Sequence, residues 1–121
     1  MDDIKVSDTM APGDVRVDAA EVKRLVGSPM TAYLANLESV VDLNGRLEKD
    51  DDEGLRPRLR LVLDLANLFR KVNAISRFRA WLREVDTGLG PTSPAALIRD
   101  SADAQVGDRL TRAATRYLRT V

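Results

Sequence analysis

The chain has 121 residues, 44% hydrophobic but only 4% aromatic, so the expectation is one core filled mainly by Leu, Val, Ala and Ile. It has no cysteine and no histidine, which removes disulfides, thiolate metal sites, the commonest general base and the commonest transition-metal ligand. Nineteen basic residues balance nineteen acidic ones, which argues against strong nonspecific nucleic-acid binding. The balance is uneven along the chain: residues 1–22 carry a net −4 and residues 105–121 a net +3. No apolar run approaches the roughly 20 residues that a membrane helix needs. Met1-Asp2-Asp3 does not open a signal peptide, and a cytoplasmic chain is expected.

Residues 1–16, with Pro12-Gly13 and several aspartates, read as a disordered lead. Val17-Asp18 opens a helix, with Asp18 as N-cap and Glu21 completing a box-like start. Val22, Leu25 and Val26 share its inner face, and Gly27 ends it. Ser28-Pro29 starts a second helix, Ser28 as N-cap, whose stripe runs Met30, Tyr33, Leu34, Leu37, Val40 and Val41. Asn44-Gly45 is a turn signal, and residues 46–54 read as a charged, exposed linker.

Leu55 to Val72 is the strongest helical segment, with Leu59, Val62, Leu63, Leu65, Ala66, Leu68, Phe69 and Val72 on a wide apolar face. Asn73 breaks or bends it. A further helix, Ala74 to Val85, carries Ile75, Phe78, Trp81, Leu82 and Val85. Gly88-Leu89-Gly90-Pro91 is a loop. Ser93 caps a short helix with Pro94 at its first position, Ala96, Leu97 and Ile98 being its apolar residues. After a polar bridge, Val106 to Leu118 closes the chain with Val106, Leu110, Ala113, Ala114, Tyr117 and Leu118 inward. No strand alternation occurs. The fold expected is all-α, of about six helices: a helix-turn-helix-like region over 17–45, the linker over 46–54, and a helical domain over 55–121.

Little of this can do chemistry. Asp50, Asp51, Asp52 and Glu53 lack the spacing and turn glycine of a calcium loop. Asp64 stands four residues after Arg60, as in a helical ion pair. Gly88-Leu89-Gly90 follows a helix and lacks the third glycine of a dinucleotide loop. No catalytic residue and no cofactor are expected.

The layout over Val17–Leu37 admits two readings, a simple helical hairpin or a helix-turn-helix. In the second, Thr31 would touch phosphate or a thymine methyl and Asn36 would read adenine, with Lys23 and Arg24 on the preceding helix. Arg56, Arg58 and Arg60 form a basic cluster at a helix start, where cations oppose the macrodipole and need a counter-charge. The last helix interleaves Arg109, Arg112, Arg116, Tyr117 and Arg119 with apolar residues. It is either a plain closing helix or a surface that docks on another protein.

The order Trp81-Leu82, a few polar residues, Gly88-Leu89-Gly90, then Ser93-Pro94-Ala95-Ala96-Leu97-Ile98 resembles the toxin-binding domain of the Xre/MbcA/ParS antitoxins. In that family a helix ends in a Trp-Leu pair, a short loop follows, and a Pro-started helix ends in paired leucines. A final stretch with a Val and a Leu inward, here Val106 and Leu110, completes it. The resemblance spans about residues 60–121, and the family's degenerate helix-turn-helix would correspond to Val17–Leu37. Arg83-Glu84-Val85-Asp86-Thr87 stands where the family commonly has a Pro-Asn element. The resemblance implies an antitoxin whose partner is a RES-like toxin that destroys NAD, neutralised by covering its active site. It also implies oligomerisation and, for some members, repression of their own operon. Within it, Trp81, Leu82, Gly88, Gly90, Pro94, Leu97 and Ile98 hold the domain together. Arg109, Arg112, Arg116, Tyr117 and Arg119 make the contact, so that truncation after Leu110 should spare most of the fold.

Overall fold

The structure, a computed structural model, describes residues 15–48 and 55–119. Among them lie seven α-helices and no strand: α1 (Val15–Val26), α2 (Ser28–Leu34), α3 (Val40–Glu48), α4 (Arg56–Lys71), α5 (Phe78–Arg83), α6 (Pro94–Asp100) and α7 (Ala104–Arg119). Single 3-10 turns at Ile75–Arg77 and Thr87–Leu89 lead into α5 and follow it. The all-α expectation holds. Residues 1–14 of the expected lead and 49–54 of the expected linker lie outside the described residues, as do the acidic residues Asp50 to Glu53.

Helix α1 starts two residues before the predicted Val17. Val15, Ala19, Val22 and Val26 repeat at helical spacing and all are buried, so the stripe itself reaches back to Val15. Asp18 is therefore inside the helix and is not its N-cap. It is 3% exposed and pairs with Arg60 at 3.4 Å. Gly27 ends α1 at φ 89, a conformation that favours glycine. Gly27 is also the N-cap of α2, so Ser28 is the first helical residue and not the cap.

The predicted second helix is two helices. Asn36 adopts φ 62, Leu37 N–H donates to Ala32 O at 2.9 Å, and Asn36 N–H donates to Tyr33 O at 3.0 Å. That pairing closes α2 as a Schellman motif with asparagine in the left-handed position. Ser39 then caps α3, its Oγ accepting from Asp42 N–H at 3.1 Å. Asn44-Gly45, predicted as a turn, lies in the middle of α3. Leu43 is fully buried, and its packing overrides a local turn preference.

Helix α4 is the central element and packs against α1 and α7. Leu59, Val62, Leu63, Leu65, Ala66 and Phe69 are buried along it. Asn73 ends it by the same device as Asn36, at φ 58, with Ala74 N–H on Phe69 O at 2.8 Å and Asn73 N–H on Arg70 O at 2.9 Å. Val72 falls in this turn and is exposed, contrary to its predicted place on the apolar face. Val85 is also exposed, because the chain turns extended at Glu84 immediately after α5.

Helix α7 runs parallel to α4. A Cβ added at Gly107 would lie 3.6 Å from Leu61, and ten residues later the Tyr117 ring is 6.0 Å from that of Phe69. Asp103 starts α7 by accepting from Val106 N–H at 2.9 Å. Phe69, Phe78, Trp81 and Tyr117 pack as one aromatic group, with Phe69 centroids 5.2 Å from Phe78 and 5.3 Å from Trp81. Ala113 and Ala114 are fully buried as well. Truncation after Leu110 would thus remove core and not merely a tail, because the inward face of α7 continues through Tyr117.

Candidate functional site

The steps from Arg109 to Arg112, Arg116 and Arg119 are three, four and three residues. At 3.6 residues per turn these four side chains follow one edge of α7 over about 15 Å. All four are exposed, while Val106, Leu110, Ala113 and Ala114 face the core. Tyr117, grouped with the arginines in the sequence, belongs instead to the aromatic cluster and is half-buried.

The arginine edge divides into two kinds of residue. Arg109 Nη2 donates to Leu89 O at 2.9 Å, and Arg116 Nη2 lies 3.6 Å from Asp86 Oδ1. Both therefore brace α7 against the loop between α5 and α6. Arg112 and Arg119 form no ion pair among the described residues and project from the same edge.

The braced loop is built around Asp86. Its Oδ1 accepts from Gly88 N–H at 2.8 Å, its carbonyl accepts from Leu89 N–H at 2.8 Å, and its N–H donates to Thr92 O at 3.1 Å. Leu89 is buried, so its carbonyl is held at a fixed height beside α7. Gly90 adopts φ 94 and turns the chain toward Pro91. Ser93 Oγ then accepts from Ala96 N–H at 3.2 Å and Pro94 opens α6, as the sequence predicts. Trp81, Leu82, Pro94 and Ile98 are buried and Leu97 is partly buried. Gly88 is exposed, where an added Cβ would stand 2.7 Å from Arg116 Cζ. Sequence reasoning missed Asp86. Its signal was the Asp-x-Gly spacing of an Asx turn.

The residues named for DNA do not make a reading surface. Thr31 is fully buried, and its hydroxyl donates to Gly27 O at 2.7 Å. Its place one turn into a seven-residue helix turns it inward, a correction to the phosphate or thymine-methyl contact expected of it. Asn36 is in the turn after α2, not on a helix face. Lys23 Nζ donates to Asn44 Oδ1 at 3.0 Å, and Arg24 pairs with Glu21 one turn earlier.

The basic cluster at the start of α4 has structural partners. Arg58 donates to the carbonyls of Ile98, Arg99 and Asp100 at 3.1, 3.2 and 3.3 Å, supplying donors to the end of α6. Arg60 bridges Asp18 and Asp64, the latter at 3.8 Å. Glu21 accepts from Arg70 at 2.7 Å besides its pair with Arg24. Hydrogen bonds from Arg24, then Arg70, hold its carboxyl below the usual carboxylate range against a smaller opposing effect of burial.

A second surface feature is a cleft of about 430 Å³ lined by Pro29, Ala32, Tyr33, Leu37, Val40 and Arg99. The Arg99 guanidinium stacks 4.6 Å over the Tyr33 ring and donates to Tyr33 O and Leu37 O at 2.7 and 3.2 Å. It thereby ties α6 to the end of α2. Among the described residues no three of Asp, Glu, His or Cys gather as a metal site, and no helix is long and apolar enough to cross a membrane.

Comparison with protein-family models, with curated proteins and with solved structures returns no match.

Proposed function

We propose that the chain is an antitoxin of a type II toxin–antitoxin system, and that α7 carries the contact with its toxin. The observation that supports this reading most is the arginine edge of α7 held rigid by the Asp86–Leu89 loop. A rigid, exposed row of arginines suits protein recognition, since arginine is frequent among interface anchors and less ordering entropy is lost when its helix is already fixed. The loop that braces it is the segment whose residues resemble the toxin-binding domain of the Xre/MbcA/ParS antitoxins.

In this mechanism the protein performs no chemistry. It seats Arg112 and Arg119 on acidic groups at the mouth of a RES-like, NAD-degrading enzyme and denies the dinucleotide entry. Arg109 and Arg116 act indirectly, by fixing the height and direction of α7. Binding in homo-oligomeric form, binding of operator DNA and a cytoplasmic location belong to the same proposal. For DNA, Lys23 and Arg24 on α1 are the cations named from the sequence, and each already has a local partner.

Co-expression with the neighbouring reading frame tests the proposal. The expected outcome is a toxic frame whose product copurifies with this chain and whose depletion of cellular NAD is reversed by it. Absence of a toxic neighbour, together with absence of any copurifying toxin, overturns it. Binding to a protein that leaves NAD untouched would instead indicate a helical adaptor.

A further inference from the structure

Residues 65–83 carry Arg70, Lys71, Arg77, Arg79 and Arg83 and not one carboxylate. All five are exposed, and none belongs to the helix-turn-helix-like region or to the edge of α7. We infer that this face, formed by the end of α4, the turn after it and α5, takes the sugar–phosphate backbone of double-stranded DNA.

Three helices bring the cations together. Arg70 at the end of α4 donates to Glu21 Oε2 at 2.7 Å, and Arg24 donates to the same carboxylate. Arg79 on α5 donates through Nε to Leu25 O at 2.8 Å, so its two Nη groups lie outside that bond. Glu21 and Leu25 are four residues apart, about 6 Å along α1, so Arg70 and Arg79 grip successive turns of one helix. Arg83 is one turn beyond Arg79, and the two flank a hollow with Val26 and Met30. Lys71 and Arg77 stand on either side of the Asn73 turn that joins α4 to α5. Among the described residues, Glu21 is the one carboxylate paired with any of these six cations. Glu84 follows Arg83 in sequence and pairs with none of them.

The other cations of the fold are dispersed or engaged. Arg60 lies between Asp18 and Asp64, Arg116 faces Asp86, and Lys23 is held by Asn44. Backbone carbonyls hold Arg58, Arg99 and Arg109, and Arg16, Arg46 and Arg56 each have a partner. Arg112 and Arg119 are two cations on α7, with Asp108 one turn before the first.

The neighbours of the basic face fit a duplex backbone better than an acidic protein, lipid or single strand. Asn67, Asn73 and Ser76 are exposed among the cations, and such short polar side chains bond phosphate oxygens alongside arginine. The aromatic residues of the segment, Phe69, Phe78 and Trp81, are all buried. They offer neither a protein anchor nor a platform for unstacked bases. The exposed valines Val72 and Val85 are too small to anchor in lipid. The step of about 6 Å from Arg79 to Arg83 is close to two phosphate intervals of one strand, each about 3.4 Å of helix axis.

Binding of an operator at this face rests on the function proposed above; contact with duplex of arbitrary sequence does not, and it is measured without toxin. Fluorescence anisotropy of the full chain with a short labelled duplex of arbitrary sequence is read against salt. The expected dissociation constant is of the order of 1–100 μM near physiological salt, with a log–log salt slope of about −4 to −5 for about five phosphates. Lys71→Gln/Arg77→Gln/Arg83→Gln should bring the slope to about −2, roughly one for each cation removed, and weaken binding at least about tenfold. These three form no ion pair among the described residues, so thermal unfolding should be unmoved. If the triple variant does not fold, amide shifts of the parent on adding duplex decide, and they should gather in residues 70–83 and 21–25. Absence of salt-dependent binding, an unchanged slope in a folded triple variant, or shifts confined to α2 or α7 overturns the inference. So does tighter binding to the matching single strand, to polyglutamate or to phosphatidylserine vesicles than to the duplex. Failure to find a toxin leaves every one of these readouts unchanged.

Discussion

Arg116 on α7 lies 3.6 Å from Asp86 in the loop before α6, and this pair joins two segments that are thirty residues apart in sequence. The arginine is 56% exposed and the aspartate 16%, so the pair itself contributes no more than about 1 kcal/mol to stability. Its importance is directional. It aims one side of α7 at the loop and leaves Arg112 and Arg119 pointing out.

Gly88→Ala isolates this relationship. Gly88 has no positive φ, so alanine fits its backbone, but the new Cβ would meet the Arg116 guanidinium. The side chain must swing off Asp86. We expect Gly88→Ala and Arg116→Ala each to lower unfolding free energy by about 0.5–1 kcal/mol, and the double variant to lose little more than either alone. Urea titration of the four proteins gives the coupling; full additivity would contradict the contact.

Asn36 tests the break between α2 and α3. Left-handed backbone costs an ordinary L-residue about 1–2 kcal/mol, asparagine less and glycine least. Asn36→Gly should therefore be neutral or slightly stabilising, and Asn36→Ala should destabilise by about 1 kcal/mol. Thermal unfolding followed by circular dichroism separates these. Equal effects would mean that α2 continues past Asn36.

Glu21 provides a pH signature. Its folded carboxyl is held below the ordinary value of 4.5, so it remains ionised in the folded chain at pH values where the unfolded chain takes up a proton. The resulting stability is fully present above 4.5 and is lost as pH falls through the lower folded value. Glu21→Gln should therefore be less stable than the parent near neutrality, and the gap should close on acidification. A gap that widens in acid would reverse the sign argued here.

Much of the fold was legible because its signals are local. Gly27 closes α1, Ser93-Pro94 opens α6, Asn73 ends α4, and the apolar stripe of α7 reads directly at helical spacing. The misreading of α2 and α3 as one helix followed by a turn has one physical source. Asn36 and Asn44-Gly45 offer similar local turn signals, and only the burial of Leu43 decides that the chain turns at the first and stays helical through the second. The candidate site was half legible for the same reason. Arg109, Arg112, Arg116 and Arg119 are evident as a row, but their division into bracing and free residues depends on Asp86 and Leu89. No periodicity within α7 points to either.

Trp81 tests the core beneath the site. It is 1% exposed among Phe69, Phe78 and Tyr117, and its indole Nε1 has no hydrogen-bond partner among the described residues. Trp81→Ala should cost about 3–5 kcal/mol, a large part of a small domain's stability. Trp81→Phe also removes volume, but it deletes a buried unpaired donor whose presence costs about 1–3 kcal/mol. It should lose well under half of what the alanine variant loses. Urea unfolding by far-ultraviolet circular dichroism compares them, and equal losses would mean that the indole N–H is satisfied in solution.

The last prediction separates bracing from contact on α7. Arg112→Glu and Arg119→Glu remove exposed cations without an ion pair among the described residues, so unfolding free energy should stay within about 0.5 kcal/mol of the parent. Binding to an acidic partner should fall by at least about tenfold for the pair, because two attractions become two repulsions. Arg109→Ala should behave differently: it leaves the Leu89 carbonyl without its donor, so a stability loss of about 1 kcal/mol should accompany any loss of binding. Calorimetry on the copurified complex, with chemical unfolding of each free variant, resolves the two classes. If Arg112 and Arg119 reversals leave affinity unchanged while the Arg109 variant weakens it, the contact lies on the loop and not on the outer edge of α7. The arginine row would then serve only to hold that loop.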